Sequence, residues 1–484
     1  MPVVLGADPL TADQLLDVAD GEPVRVGPSA RTRMAVARNL LEGALERGDA
    51  VYGLTRRLGA GHGDAVADQA AFQRQVIRNH LGAVGEPVPA VVVRAAIAAR
   101  LAHLTGGGSG ARPEVADALA ALLNAHVVPL VRDRGSVGAA DLPQNAAVAA
   151  VLTGEGEVLR ADGTAAPAAE ALAAAGIRPL ALAAHEALSL INTNAFALGS
   201  AAVLAARVEE LAEAADRTVA LALEAAALHR PSGDLGPFSA VASADRGDLG
   251  QAASAATVRE LLAGSFLTAE DRERAVQDEL CFRCAPQVHG ALADTADALL
   301  TTVDLELEAR PENPLVDTGT GTITANGNFA PVRLALDLER ARIGLAHLAG
   351  IAERRIAVLS RLAARLRAAD RAGMPGLLAY TAAGDLAELR ALAAPVTLGA
   401  APLSVVEDYA TFAWTAAEAG HRAADLVLEV LAIEALHAAS LIRGAEPAAL
   451  GAGTAPLAAR LVAIIDDGLP AEALVQQAAE ALAG

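Results

Sequence analysis

The sequence predicts a mostly α protein: an elongated central bundle of long helices with a smaller mixed N-terminal domain. Three observations carry this expectation. Hydrophobic residues make up 53% of the 484-residue chain but aromatics only 2%, so alanine supplies much of the apolar content. Alanine is the strongest helix former and loses almost no side-chain entropy on packing. Next, three long stretches, residues 188–230, 332–374 and 403–446, contain no proline. In the first, Leu204, Val208, Leu211 and Ala215 recur at helical spacing, with Arg207, Glu210 and Arg217 on other faces. A helix filling such a stretch is about 60 Å long, and several of them make a bundle.

The rest of the chain is placed around these stretches. Proline and glycine punctuate the first part, and residues 105–110 (TGGGSG) and 134–143 (RGSVGAADLP) read as loops. The expected organisation is a mixed domain over 1–190, a long-helix bundle over 191–446 and a C-terminal helical segment over 447–484. The chain is long for one simple core. It shows no short-period repeat and no low-complexity linker.

Charge and composition exclude several function classes. The net charge is −20 and the pI near 4.9, and an acidic surface repels phosphate backbones, so no nucleic-acid partner is expected. No uninterrupted apolar run of about 18 residues occurs, so no membrane span is expected either. Residues 1–13 lack a basic region followed by an apolar one, the pattern of a secretory signal. With only Cys281 and Cys284, a disulfide scaffold is excluded and a cytoplasmic location fits best.

Local motifs say little by themselves. Cys281 and Cys284 have redox or zinc-ligand spacing, yet no second pair completes a four-ligand site, so no metal is expected. The TGGGSG loop lacks the Lys-Ser or Lys-Thr that reaches phosphates and magnesium. Tyr52, His80, Asn192, Arg283, Asn313 and Glu407 are polar groups in apolar context. Such groups are most often satisfied buried residues, and neither composition nor periodicity joins them into one site.

Together their segments resemble one family, in order, across nearly the whole chain. Val51-Tyr52-Gly53 resembles its VYG motif, and Phe72-Gln73 with His80 its LQ…SH segment. Gly108-Ser109-Gly110-Ala111-Arg112-Pro113 resembles its SGVRP loop, and Gly135-Ser136-Val137-Gly138-Ala139 the opening of GSVGASGDLAP. His185-Glu186-Ala187-Leu188 and Leu190-Ile191-Asn192 are similar to KEGLALIN. The run from Arg283 to Gly290 resembles RCxPQVxG, and Asn313-Pro314-Leu315, Gly327-Asn328-Phe329 and Glu353-Arg354-Arg355 match NPL, GNF and ERR. The family is that of the histidine, phenylalanine and tyrosine ammonia-lyases and their aminomutase cousins. The resemblance implies a homotetramer with active sites shared between subunits, and a likeness to the fumarase and aspartase superfamily.

In that family an Ala-Ser-Gly tripeptide cyclises and loses water to give a methylidene-imidazolone electrophile. Here the segment reads Ala139-Ala140-Asp141-Leu142-Pro143. Ala140 stands where the resemblance places the serine, and its methyl cannot eliminate. The glycine is deleted or replaced by Asp141. The expectation is therefore a divergent member with no cofactor. Asp141 either serves as an acid or base in the vacated place, if burial raises its pKa, or caps the following helix; the cap is favoured.

Other positions depart too. Leu280 takes the place of a family tyrosine, Val406 that of a glutamine, Ala330 that of a histidine, and Arg56-Arg57 that of Thr-Gly. What remains maps, by resemblance, onto a catalytic base at Tyr52, an arginine that grips the substrate carboxylate at Arg283, and a residue touching the cofactor's oxygen at Asn192. Asn313 and Glu407 match pocket positions, and His80 a histidine beside the catalytic loop. The catalytic candidates are thus Tyr52, His80 and Glu407. The substrate-facing candidates are Arg283, Asn192, Asn313, Arg56, Arg57, Phe329 and Leu280, and the altered loop is Ala139, Ala140 and Asp141.

A tyrosine near pKa 10 needs activation to take a proton at neutral pH, and a guanidinium grips a carboxylate with two parallel hydrogen bonds. The two together imply a lyase-type addition, elimination or cyclisation on a small carboxylate-bearing substrate of specialised metabolism. The alternative is a catalytically inactive homologue that binds a ligand or acts as a scaffold.

Overall fold

A computed structural model describes residues 2–366, 375–399, 407–443 and 448–483 of the chain. The described residues are mostly helical, as the composition predicts. Long helices occupy Ala195–Ala227, Val332–Arg365 and Ala413–Arg443, within the three proline-free stretches. Residues 367–374, 403–406 and 444–446 of those stretches lie outside the described residues. A further long helix spans Ala285–Glu308. Pro286 sits in its first turn, where a missing N–H removes no intrahelical bond.

Strands are few and short. Val3–Leu5 pairs in parallel with Val24–Val26, and Val84–Pro87 pairs antiparallel with Arg132–Arg134. Val128–Pro129, Glu157–Leu159 and Ala165–Pro167 form a three-stranded antiparallel sheet. Leu315–Asp317 and Thr322–Thr324 form a hairpin.

The chain divides into two compact units. The first comprises Met1–Leu204, Leu299–Leu338 and Val396–Glu418; the second comprises Ala205–Ala298, Glu339–Pro395 and Ala419–Gly484.

The first unit is built on the helix Ala90–Thr105, buried almost throughout. Its Arg94 donates to the carbonyls of Val18, Ala19 and Leu123 at 2.7, 2.7 and 3.0 Å. Those carbonyls end the helices Ala12–Asp20 and Pro113–Asn124, so one guanidinium satisfies acceptors that helix ends leave open. Arg100 makes a doubly bonded ion pair with Glu312 at 2.9 and 3.1 Å, both side chains being 3% exposed. That pair fastens the segment before Asn313 to the core. Arg112 holds Glu186 in the same bidentate way at 2.7 and 2.8 Å. Trp414 packs edge-on against Phe196 with ring centroids 5.9 Å apart, and its indole N–H donates to the Asp133 carbonyl.

In the second unit, Arg355 and Glu434 form a fully buried pair at 2.5 and 2.9 Å, and Arg355 also donates to the Cys281 carbonyl at 3.1 Å. Asp216 accepts from Ser254 at 2.6 Å and pairs with His289 at 2.7 Å. Both cysteines are free. Burial pushes the Cys281 thiol up to about 11, away from reactivity. Among the described residues no group of histidines, cysteines and carboxylates is placed to hold a metal ion. The stretch Glu186–Ala227 is long and apolar enough to cross a membrane, but 94% of its most apolar window is buried within the protein, as in a core helix.

Candidate active site

A cavity of about 620 Å³ lies within the first unit, a volume in the range of small-molecule sites. Its walls come from the turn holding Tyr52 and the loop after it, the helix Gln69–His80, the segment around Asn192, the stretch from Asn313 to Phe329, and Glu407.

Tyr52 is fixed by a tight turn. The backbone N–H groups of Thr55 and Arg56 both donate to the Val51 carbonyl at 3.0 Å, and Val51 N–H donates to the Thr55 hydroxyl at 2.9 Å. Gly53 has φ +72°, and a Cβ there would stand 2.3 Å from Leu188 Cδ2. Only glycine suits both the left-handed backbone and that approach. The phenolic oxygen of Tyr52 accepts the backbone N–H of Gly59 at 3.0 Å. Burial pushes the Tyr52 pKa above its ordinary value; the Gly59 N–H opposes this and the Glu407 charge adds to it. The Glu407 carboxylate lies 3.7 Å from where a Cβ of Gly59 would stand, so phenol, amide and carboxylate meet at one point.

The helix Gln69–His80 begins at Asp68, whose carboxylate accepts the Ala71 N–H at 3.0 Å. Phe72, Gln75, Val76, Asn79 and His80 line the cavity; their spacing is that of one helix face. Gln73 on the same helix is buried and accepts the Ala187 N–H at 2.9 Å. His80 Nδ1 lies 2.6 Å from the Val76 carbonyl, so Nδ1 carries the hydrogen of that bond and Nε2 is the ring's other nitrogen. Arg57 donates from its backbone to the Asp64 carbonyl at 3.0 Å and from its guanidinium to Gln75 Oε1 at 2.8 Å. Asn192 Nδ2 donates to the Asn313 carbonyl at 2.9 Å, and Asn313 Oδ1 accepts the Asn326 N–H at 3.1 Å. The Phe329 carbonyl accepts from Asn194.

The altered loop approaches this cavity from behind. Phe412 N–H donates to the Val137 carbonyl at 3.0 Å, and the Thr411 hydroxyl to the Gly138 carbonyl at 2.8 Å. Ala139 lines the cavity. Ala140 is buried with φ +60°, a conformation that costs a non-glycine residue about 1 kcal/mol or more. Asp141 is wholly buried. It occupies the N-cap position of the helix Leu142–Leu152, as favoured from the sequence, but its side chain does not cap that helix. One carboxylate oxygen instead accepts from Ser136 Oγ at 2.7 Å and the other from the Ala197 N–H at 2.8 Å. Asp141 thus caps the long helix Ala195–Ala227. Burial pushes its pKa up to about 6, against the pull of these hydrogen bonds.

The structure therefore gathers Tyr52, His80, Glu407, Arg57, Asn192, Asn313, Phe329 and Ala139 around one cavity. Arg56, Ala140 and Asp141 are not among its lining residues. Arg283 and Leu280 belong to the second unit; Arg283 Nε donates to the Asp278 carbonyl at 2.8 Å, and Leu280 is 61% exposed. Val406 lies outside the described residues. Gln75, Asn79, His62 and Asp64 also line the cavity and were not singled out in the sequence. The period of the helix carrying Phe72 and His80 points to the first two; nothing local points to the loop residues.

A tyrosine, a histidine and a carboxylate around a small-molecule cavity make the candidate active site, and comparison with known proteins names the family. Residues 10–463 match the family model described as aromatic amino acid lyase, and the chain belongs to that family. It is 36% identical over 469 residues to a histidine ammonia-lyase of Streptomyces coelicolor, covering 92% of this chain and 89% of that one. Among solved structures it is similar to the ergothioneine-degrading enzyme ergothionase of Treponema denticola, with a TM-score of 0.92 and 25% identity over 100% of this chain and 98% of that one. It is also similar to the tyrosine aminomutase of Streptomyces globisporus, with a TM-score of 0.87 and 28% identity over 100% and 97% of the two chains.

These relatives correct one expectation. The loss of a single tripeptide was read as the loss of the cofactor, but the likeness to histidine ammonia-lyases extends over 92% of the chain and places it in the methylidene-imidazolone family. The expectation of no cofactor is accordingly overturned. At the loop itself the three residues do not fit the ordinary precursor: Ala140 has no hydroxyl to lose, and the Asp141 side chain is engaged by Ser136 and Ala197.

Proposed function

We propose that this family member is a lyase-type enzyme that removes a proton from, or returns one to, a small carboxylate-bearing substrate in the Tyr52 cavity. The observation that carries the reading is the hydrogen bond from the Gly59 N–H to the Tyr52 oxygen at 3.0 Å, inside a cavity also lined by His80 and Glu407. An amide N–H aimed at a phenolic oxygen stabilises the phenolate, the form able to take a proton.

In an elimination, the phenolate takes a proton from carbon, the C–H electron pair becomes the new double bond, and the neighbouring carbon releases its leaving group with the bonding pair. Addition is the reverse. His80 Nε2 is the group offered for exchanging a proton with the leaving or entering group. Asn192, tied to the Asn313 carbonyl, orients the substrate's polar end. In this proposal Arg283 grips the substrate carboxylate from another subunit of a homotetramer, as the family resemblance implies, and the enzyme acts in the cytoplasm on a substrate of specialised metabolism.

The test is Tyr52→Phe in the assembled enzyme, once turnover is found with a panel of small amino and carboxylic acids. Turnover should fall by at least about a hundredfold, in the usual range for loss of a general base, with binding retained. Undiminished turnover refutes the role of Tyr52. Binding without turnover of any acid in the panel favours the alternative of a ligand-binding homologue.

A further inference from the structure

We infer that Arg57 is a specificity-determining residue and that the substrate carries a second anionic group, which Arg57 engages. The inference rests on reading the Tyr52 cavity as the substrate site. It adds a residue and a ligand class, because a pocket for a neutral aromatic ring has no use for a guanidinium.

Arg57 is half-buried in the cavity wall. Its guanidinium donates to Gln75 Oε1 at 2.8 Å, an amide oxygen that carries no charge. Among the described residues no carboxylate forms an ion pair with it: the Asp64 carbonyl accepts the Arg57 backbone N–H, the Asp64 carboxylate stands beside the Arg57 stem at the Gly61 turn, and Glu407 stands beside Gly59. The buried arginines of the first unit, Arg38, Arg94 and Arg100, are each matched to a carboxylate or to backbone carbonyls.

Gln75 thus fixes the guanidinium without neutralising it. A guanidinium held in this way presents its remaining N–H donors to a carboxylate or sulfonate, and such charge-assisted bonds are about twice as strong as neutral ones. Gln75 is one helical turn from Asn79 and faces the same cavity, so the arginine is steadied by a rigid element. With a first carboxylate already required by the proposed reaction, the substrate class is a diacid.

The experiment measures dissociation constants of the full-length assembled protein for two matched probes, 3-phenylpropanoate and 3-(4-carboxyphenyl)propanoate. They differ only in the distal carboxylate. The diacid should bind about tenfold tighter or more. Arg57→Gln should bring the ratio to about one, and Arg57→Lys should leave an intermediate preference because the charge stays and the fork is lost. Gln75→Glu keeps the arginine but places a carboxylate against it, and should also erase the preference. Equal binding of the two acids by the wild type, no binding of either, or a preference unchanged in Arg57→Gln and Gln75→Glu overturns the inference. The Tyr52→Phe result is independent: a preference that obeys Arg57 alongside unchanged turnover in Tyr52→Phe removes the catalytic reading and leaves the anion site standing.

Discussion

The carboxylate of Asp141 and the backbone N–H of Ala197 lie 2.8 Å apart, joining the altered loop to the first turn of the longest helix in the first half of the chain. Negative charge at a helix N-terminus is favoured by the helix dipole, yet burial opposes the charge and pushes the pKa up to about 6. A raised carboxyl pKa contributes stability that is complete below the ordinary value near 4 and is lost as pH rises through 6. Asp141→Asn, which does not titrate, should therefore gain on the wild type in urea denaturation between pH 4 and 7. Asp141→Ala leaves the Ala197 N–H and the Ser136 hydroxyl unmatched and should cost about 2 kcal/mol.

The Tyr52 phenol should respond to the Glu407 charge. The Glu407 charge helps to hold the phenol protonated, although burial is the larger cause. A reaction that uses the phenolate should accelerate as pH rises into the alkaline range, and Glu407→Gln should move that limb to lower pH. A pH profile of kcat/KM, or an ultraviolet titration of the phenol, reads the shift directly. An unmoved limb in Glu407→Gln would show that the two groups are not coupled.

The Arg100–Glu312 pair should be the most sensitive electrostatic element of the first unit. Both side chains are 3% exposed, so removing one partner leaves a buried charge without compensation. Glu312→Ala should destabilise the protein by about 3–5 kcal/mol, and replacing both residues with apolar ones of similar size should cost much less. Denaturant midpoints of the single and double variants test this.

Gly138 should tolerate no side chain. Its φ is +77°, and a Cβ would stand 2.3 Å from Thr411 Oγ1 and 2.6 Å from the Phe412 nitrogen. Gly138→Ala should cost at least about 1–2 kcal/mol. Since residues 411–413 follow Glu407 closely, binding of small acids should weaken in the same variant. Unchanged thermal stability would refute the packing described for this loop.

Much of this was legible in the sequence because the deciding signals are local. Proline-free alanine-rich stretches give helices whatever surrounds them, and Tyr52, Asn192, Asn313, Phe329 and Glu407 stand inside ordered motifs. Asp141 shows where local reading stops. Its position before Leu142 is that of a cap, but the donors it answers are Ser136 and the N–H of Ala197, the latter 56 residues on, and sequence spacing cannot rank such a donor against a nearby one. The helix Ala285–Glu308 was within reach of the same local reading, since residues 287–310 contain no proline. Gln75 and Asn79 were within reach, since one helical period links them to Phe72 and His80. The loop residues His62 and Asp64 follow no period at all.

The loop after Tyr52 closes on itself. Val66 N–H returns to the Thr55 carbonyl and Arg57 N–H to the Asp64 carbonyl, each at 3.0 Å. The arginine proposed to choose a ligand is thus carried by a self-closed loop, tied to Tyr52 through the Gly59 N–H and to the helix Gln69–His80 through Gln75. Selection can exchange residues of this loop other than Gly59 while the hydrogen bond to Tyr52 stays in place, so a lineage built on this scaffold can change its diet without rebuilding the base. Laboratory libraries aimed at new substrates have their most permissive target there.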